Sequence, residues 1–311
     1  MGKIIGPASI IVDLAAYADH LPIGGETVMS DKFRIGPGGK GSNQMTAAAR
    51  AGAEAVIIGK IGRDVLGNLF EQHYADNNMT MKHIGYSDDA ATGTALIEVE
   101  AESGQNRIIV IPGASNEVTG ADVLAAEEDF RDADIVLFQF ETSYDSIVTA
   151  KQLAKKYGKR IVLNSAPYVD YPRELYDGID YVTPNETEAE AITGVHIGDY
   201  ADARKAAEIL LGMGVKKAIV TMGTKGSYFY DGVNEYVFPC LPYKAVETTG
   251  AGDAFSGGLS AALAEGLDDY TALQFATCTS NLAITRPGSS TSMPYRAEIL
   301  EAMKQHYGVE L

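Results

Sequence analysis

The chain is poor in cysteine and has no tryptophan: Cys240 and Cys278 are its only thiols, and they form no CxxC pair. That leaves no disulfide framework and no cysteine-based zinc site, so two buried, reduced thiols are expected. Histidine is sparse too. The five residues, at 20, 73, 83, 196 and 306, make no HExxH pattern or metal-ligating pair. GxSxG is absent, which removes the usual mark of a serine hydrolase. No apolar run reaches the roughly 18 residues of a membrane helix. The start, Met1-Gly2-Lys3-Ile4-Ile5-Gly6, lacks both a signal-peptide core and the Ser or Thr of a myristoylation signal. Basic residues are in deficit, 25 Lys plus Arg against 42 Asp plus Glu, for a net charge of −17. This balance argues against nucleic acid and anionic membrane as partners. It leaves room for a nucleotide held by a few donors and a metal ion. A cytoplasmic location is the expectation.

What is present is an ordinary globular composition, 46% hydrophobic and 22% charged over 311 residues, enough to bury a sizeable core. Residues 3–6 and 10–12 read as a buried strand, 26–35 as partly exposed strands, and 42–51 as a helix closed by Gly52. Strand 55–61 and helix 65–77 follow, then a hairpin of 94–100 and 107–111 about a turn at 103–106. From 119 strands and helices alternate: helix 119–130, strand 134–140, helix 143–157, strands 160–164 and 181–183, and helices 185–193 and 200–213. Strand 217–222 and an antiparallel pair, 227–230 with 235–238, precede helices 250–265, 269–284 and 294–306. The rhythm predicts an α/β fold, a doubly wound, mostly parallel sheet with helices on both faces, as one domain over 1–311. Segments 14–36 and 92–112 break the alternation and are expected to pair as a small separate sheet, a lid at the edge of the main one.

Two glycine segments carry the chemistry. In Val246-Glu247-Thr248-Thr249-Gly250-Ala251-Gly252-Asp253-Ala254-Phe255, small residues end a loop and an apolar-periodic helix begins. Bare N–H groups at a helix start bind anionic oxygen, and Asp253 places a carboxylate in the first turn. An anion cradle beside a base suits phosphoryl transfer to a hydroxyl; a capped helix with a dipole-compensating Asp is the simpler alternative. The second segment, Gly36-Pro37-Gly38-Gly39-Lys40-Gly41, fits GxGxxG. The dinucleotide reading fails because the next strand ends in Gly59-Lys60-Ile61-Gly62 without a carboxylate. Walker A fails because Gly41, not Ser or Thr, follows Lys40. Gly39, Lys40 and Asn43 instead bring bare backbone, a cation and an amide to a helix start, where a polyol can be held.

Asp13 and Glu141 follow apolar strands and are carboxylates for sugar hydroxyls, or else loop and capping residues. Asn185-Glu186-Thr187-Glu188 opens a helix as a capping segment or as carboxylates holding water around Mg²⁺. Thr221-Met222-Gly223-Thr224-Lys225-Gly226 is a strand end and turn suited to a nucleotide.

Taken together, these motifs resemble the PfkB carbohydrate kinase family, in its ribokinase-like branch. The resemblance spans about residues 4 to 300 and also takes in Gly25-Glu26-Thr27-Val28 and Ile284-Thr285-Arg286. It implies a doubly wound core with a β-lid, a homodimer made through the lids, ATP with Mg²⁺, and transfer of the γ-phosphoryl group to a sugar's primary hydroxyl. By that resemblance Asp253 is the catalytic base and Gly250, Ala251 and Gly252 the anion hole. Asp13, Gly39, Lys40, Asn43 and Glu141 match sugar-contacting positions. Asn185, Thr221, Gly223 and Gly226 match ATP-binding positions, and Glu188 the water-mediated Mg²⁺ position. Glu247, Thr249, Ala283, Arg286, Gly288 and Ser292 match the monovalent-cation (K⁺) site. Two residues depart from the pattern. Ile11 stands where ribokinases usually have Asn, which disfavours a sugar hydroxyl there by about 1–3 kcal/mol and points to 2-deoxyribose beside ribose. Glu247 stands where Asp is usual. A kinase of another sugar or of a nucleoside, and a catalytically silent sugar-binding regulator, are the alternatives.

Overall fold

The computed structural model describes residues 2–102 and 105–311. The chain opens with β1 (Lys3–Pro7), β2 (Ile11–Ala18) and β3 (Lys32–Gly38). Helix α1 (Lys40–Arg50), β4 (Glu54–Gly62), α2 (Asn68–Asp76), β5 (Thr80–Ser87), β6 (Gly93–Glu100) and β7 (Asn106–Ile111) follow. The next stretch holds α3 (Gly120–Ala125), α4 (Glu127–Asp132), β8 (Ile135–Gln139), α5 (Tyr144–Lys156), β9 (Arg160–Asn164) and β10 (Tyr181–Val182). Then come α6 (Glu186–Thr193), α7 (Tyr200–Gly212), β11 (Lys217–Thr221), β12 (Ser227–Tyr230) and β13 (Glu235–Phe238). The chain closes with α8 (Ala251–Ala264), α9 (Asp269–Ala283) and α10 (Arg296–Tyr307).

Nine strands form the main sheet in the order β13-β12-β11-β10-β9-β8-β1-β4-β5. It is parallel from β11 to β5; β12 runs the opposite way and pairs antiparallel with both β11 and β13. Both faces are covered, so its strands read as continuous apolar runs. In β1, Ile4 joins the core beneath α1, α2, α8, α9 and α10, while Ile5 joins the core beneath α3 to α7. The strand order reverses between β1 and β8. That switch point opens a crevice at the carboxyl ends of the strands, where α/β sheets bind ligands.

Four strands form a separate sheet, β3-β2-β6-β7. Its inner face carries the buried cluster Ile11, Ala15, Ala95 and Ile97. Its outer face leaves Phe33, Ile35, Leu96, Ile109 and Ile111 exposed.

Several expectations are corrected. Residues 3–6 and 10–12 are not one strand. Pro7 closes β1, and the chain crosses to the small sheet over Ala8 and Ser9, where the Ser9 hydroxyl serves Gly41 N–H and Glu141 instead of a ladder. Asp13 therefore lies inside β2 and not beyond a main-sheet strand. Strand β3 starts only at Lys32, and β5 was not expected at all, because Lys82, His83 and Gly85 interrupt its apolar pattern. The helix expected over 119–130 divides at Ala126 into α3 and α4. Cys240 is exposed, since it follows the edge strand β13, whereas Cys278 is buried. Of the turn expected at 103–106, residues 103 and 104 lie outside the described residues.

The contact that builds the site is between α1 and α8. At Gly257 an added Cβ would fall 2.3 Å from the Gln44 carbonyl oxygen, so only glycine lets the helices approach this closely. Gly39, the residue before α1, has φ 85°, and a Cβ there would lie 2.8 Å from Ser9 O and Ile11 N.

Candidate active site

Helix α8 opens at Gly250, whose φ of 80° turns the chain into the helix. The Ala251 N–H bonds Thr248 O at 3.2 Å. The N–H groups of Gly252 and Asp253 belong to the first turn, where a helix offers no carbonyl partner. They border a cavity of about 140 Å³ together with Lys40, Asn185, Glu188 and Thr221. Asp253 itself is buried. The Asn43 Nδ2 donates to its Oδ2 at 2.9 Å and the Gln44 Nε2 to its Oδ1 at 3.0 Å. These amides are themselves fixed: Ser290 Oγ donates to Asn43 Oδ1 at 2.5 Å, and Gln44 Nε2 also reaches Asn164 Oδ1 at 3.0 Å. Two neutral donors thus orient the carboxylate without neutralising it.

Asp253, Gly250 and Lys40 also line a second cavity, of about 130 Å³, on the small-sheet side. Ile11, Asp13, Gly39, Asn43 and Glu141 border it, and Ala95, Ile97, Ile108 and Val110 roof it with apolar surface. Burial pushes the Asp13 carboxyl up to about 6, against the opposing pull of the Ser289 hydroxyl and the Arg34 charge. Ser289 Oγ donates to Asp13 Oδ2 and holds it in place. Glu141 Oε2 accepts from Ser9 Oγ at 2.7 Å and from the Lys40 N–H at 3.0 Å, so it also caps α1.

Burial opposes the Lys40 charge, but the surrounding carboxylates of Asp253, Glu141, Glu188 and Asp13 outweigh it and raise the pKa. Lys40 is therefore a firmly charged ammonium between the two cavities.

The third cavity, about 280 Å³, continues from the first along Asn185, Thr221, Ala251 and Gly252 to Gly223, Gly226, Phe238, Cys240 and Asn281. Asn185 and Glu188 form a reciprocal capping box at α6: Asn185 Oδ1 accepts from Glu188 N at 2.9 Å, and both Glu188 oxygens accept from Asn185. Glu188 nevertheless borders the 140 Å³ cavity, and burial raises its pKa. Glu188 thus caps α6 and borders the cavity at once.

The residues expected around a monovalent cation lie on two adjoining loops, 246–249 and 283–292, joined by bonds from Val246 and Glu247 N–H to Ile284 O. Arg286 pairs with Glu298 at 2.6 Å, Ser292 Oγ donates to Ser289 O at 2.9 Å, and Ala283 O accepts from Arg286 N at 3.5 Å. The Thr249 side chain lies beside the Glu247 carboxylate and favours its ionised form. The Gly288 N–H donates to the Glu247 carboxylate at 3.2 Å, and that carboxylate forms a two-pronged pair with Arg34.

Sequence reasoning missed Gln44, Asn164, Ser289, Ser290 and Arg34. Gln44 was within reach, because it adjoins Asn43 in the same first turn. The two serines and Arg34 had no signal, since only the tertiary fold brings β3 and the 288–290 loop together.

The three cavities form one cleft, with an anion pocket in the middle and a carboxylate at the junction. Such a cleft can align an anionic donor with a hydroxylic acceptor. The chain matches the profile of the pfkB family carbohydrate kinase over residues 4–296. It is 36% identical over 296 residues to the ribokinase of Haemophilus influenzae, covering 95% of this chain and 96% of that protein. It is 32% identical over 290 residues to the deoxyribokinase of Salmonella typhimurium, covering 92% and 94%. The structure of Arabidopsis thaliana ribokinase complexed with ribose and ATP superposes with a TM-score of 0.88 at 29% identity, over 98% of this chain and 99% of that one.

Proposed function

The chain belongs to the pfkB family of carbohydrate kinases, and from that premise we propose that it transfers the γ-phosphoryl group of ATP to the O5 hydroxyl of a pentose. The observation that carries the reading is the position of Asp253. Its carboxylate borders the polyol-sized cavity and the anion pocket at once. The sugar lies in the 130 Å³ cavity, with Asp13 and Glu141 accepting from its hydroxyls and Asn43 and the Gly39 backbone beside them. Asp253 orients and deprotonates the hydroxyl facing the pocket. The turn of Gly250, Ala251 and Gly252 forms the anion hole, where the unpartnered N–H groups of Gly252 and Asp253, with Lys40, stabilise the negative charge of the moving phosphoryl group. ATP occupies the 280 Å³ cavity against Thr221, Gly223 and Gly226, with Asn185 beside its phosphates.

Mg²⁺ fits this arrangement through water. Among the described residues no cluster of three or more His, Cys, Asp or Glu offers direct coordination. Mg²⁺ commonly keeps its waters and binds phosphates with one or two carboxylates, a role open to the Glu188 face of the cavity. Bound there, the ion would neutralise phosphate charge.

Among pentoses, Ile11 favours 2-deoxy-D-ribose over D-ribose. The small sheet acts as the lid: its apolar roof excludes water, so that ATP is not simply hydrolysed. Two chains pair through the outer face of that lid, where Phe33, Ile35, Leu96, Ile109 and Ile111 are exposed. Sedimentation should give a dimer, and Ile109→Lys should shift it to monomer; a monomeric parent protein would remove this part of the reading. Two free thiols suit a reducing cytoplasm. Among the described residues no helix is long and apolar enough to cross a membrane.

The test of the activity is sugar-dependent ADP formation across ribose, 2-deoxyribose, fructose and nucleosides, with the phosphate position read by NMR. No sugar-dependent ADP from any of them would leave the silent regulator as the better reading.

Asp13 supplies a pH prediction. Its carboxyl stands at about 6 in the folded chain against the ordinary 3.8. The native state therefore holds the proton more tightly, and stability falls as pH rises between those values. Sugar binding needs the ionised form, so the KM for sugar should climb as pH drops below about 6. Asp13→Asn should raise Tm at pH 7.5 while raising that KM at least about tenfold. A lower Tm with unchanged KM would contradict both roles.

A further inference from the structure

The residues matching a monovalent-cation site do not suit one here. Glu247 Oε1 accepts from Arg34 Nη2 at 2.9 Å, and Oε2 from Arg34 Nη1 at 3.0 Å. Oε2 also meets the Gly288 N–H at 3.2 Å and the Tyr17 hydroxyl at 3.4 Å. A metal cation requires acceptor oxygens, whereas this carboxylate is ringed by donors. Arg34 already brings a full positive charge in a planar fork matched to a carboxylate. A second cation would have to sit against that charge. Arg286, the other guanidinium nearby, is taken by Glu298.

We propose that Arg34 is the resident cation of this loop: in place of an exchangeable monovalent ion, its guanidinium fixes Glu247 and so positions the turn through Thr249 and Gly250 that forms the anion hole. Two features make the substitution workable. Glu247 is longer than the Asp usual in the resemblance, and it reaches outward to the small sheet. Arg34 sits on β3 opposite Ala15 and points to the inner face, beside Tyr17 on β2. The pair thus ties the lid to the loop ahead of α8. Burial alone would raise the Glu247 pKa, but Arg34 and the Gly288 N–H outweigh it and hold the carboxyl below its usual range. Arg34 is a positioning residue, acting on the anion hole through Glu247.

The role in the anion hole rests on the kinase reading above, but the resident-cation claim does not, and the experiment separates them. The protein is melted in KCl, NaCl and choline chloride at equal ionic strength, with and without Arg34→Ala. The parent Tm should agree among the three salts to within about 1 °C, since no ion binds the folded form selectively. A Tm raised selectively by K⁺ in the parent overturns the proposal, whatever the enzyme proves to phosphorylate. Turnover is read in the same salts. Parent kcat should vary less than about twofold, and Arg34→Ala should lower kcat at least about tenfold while changing the KM for sugar less. Guanidinium chloride at millimolar concentration should restore part of that loss. Arg34→Lys keeps a cation and guards against a folding defect: it should retain more activity than the alanine variant. Unchanged kcat in Arg34→Ala, or no rescue by guanidinium in a variant that melts normally, overturns the positioning role.

Discussion

Asp253→Asn should lower kcat by about 10² to 10⁴-fold, the range expected when a positioned general base is removed. ATP and sugar should still bind, with affinities measurable by calorimetry. The geometry explains why the loss falls on turnover. Asn43 and Gln44 present two donors to Asp253, at 2.9 and 3.0 Å. A carboxylate accepts from both and keeps lone pairs for the substrate hydroxyl. An asparagine accepts with one atom only and turns an N–H toward the other donor. Asn43 cannot readily flip to compensate, because its own oxygen is held by Ser290. The variant therefore loses the proton acceptor and strains its support together. Near-normal turnover would remove Asp253 from the mechanism and return α8 to the status of a capped helix.

The second large effect concerns the sugar. 2-Deoxyribose should exceed ribose in kcat/KM by about 5- to 150-fold, the equivalent of about 1–3 kcal/mol for burying a hydroxyl without a partner. Ile11 is buried on the inner face of the small sheet and packs with Ala15, Ala95 and Ile97. These neighbours add no polar side-chain atom, so a hydroxyl placed against them gives up its water for nothing. A hydrogen there costs nothing comparable. Ile11→Asn should narrow or reverse the ratio by restoring a partner. Ribose outperforming deoxyribose by a wide margin in the parent enzyme would show that the 2-position does not face Ile11.

The parts of the fold that were legible in sequence are those where local chemistry and packing agree. Strand β9 and the pair β12 and β13 are continuous or alternating apolar runs between polar turns, and their bounds coincide with the expectation. The helix start at Gly250 with Asp253 in its first turn was legible because small residues ending a loop before an apolar-periodic run have a recognisable composition. Asp13 was legible as a carboxylate of the crevice but not in its place. The chain changes sheets within three residues after Pro7, and a periodicity of two is the same in either sheet. Strand β5 was hidden because an edge position tolerates Lys82 and His83, which pair with Asp129 instead of joining a core. The partner of Glu247 was invisible for a different reason. Arg34 is distant in sequence, and its side-chain direction follows only from the register of β3 on β2.

The close approach of α1 to α8 at Gly257 has a consequence for how the protein is made. The carboxylate and the amide that orients it are 210 positions apart. At a synthesis rate of about 5–20 residues per second, roughly 10–40 s separate the emergence of Asn43 and Asp253 from the ribosome. During that interval Asn43 and Gln44 on α1 have no carboxylate to hold, and the apolar side of α1 has no helix to cover it. The central strand β1 waits in the same way for β8. Phosphoryl chemistry is thus withheld from every unfinished chain, and the last third of the polypeptide, arriving late, switches on a site that the first third has already half built.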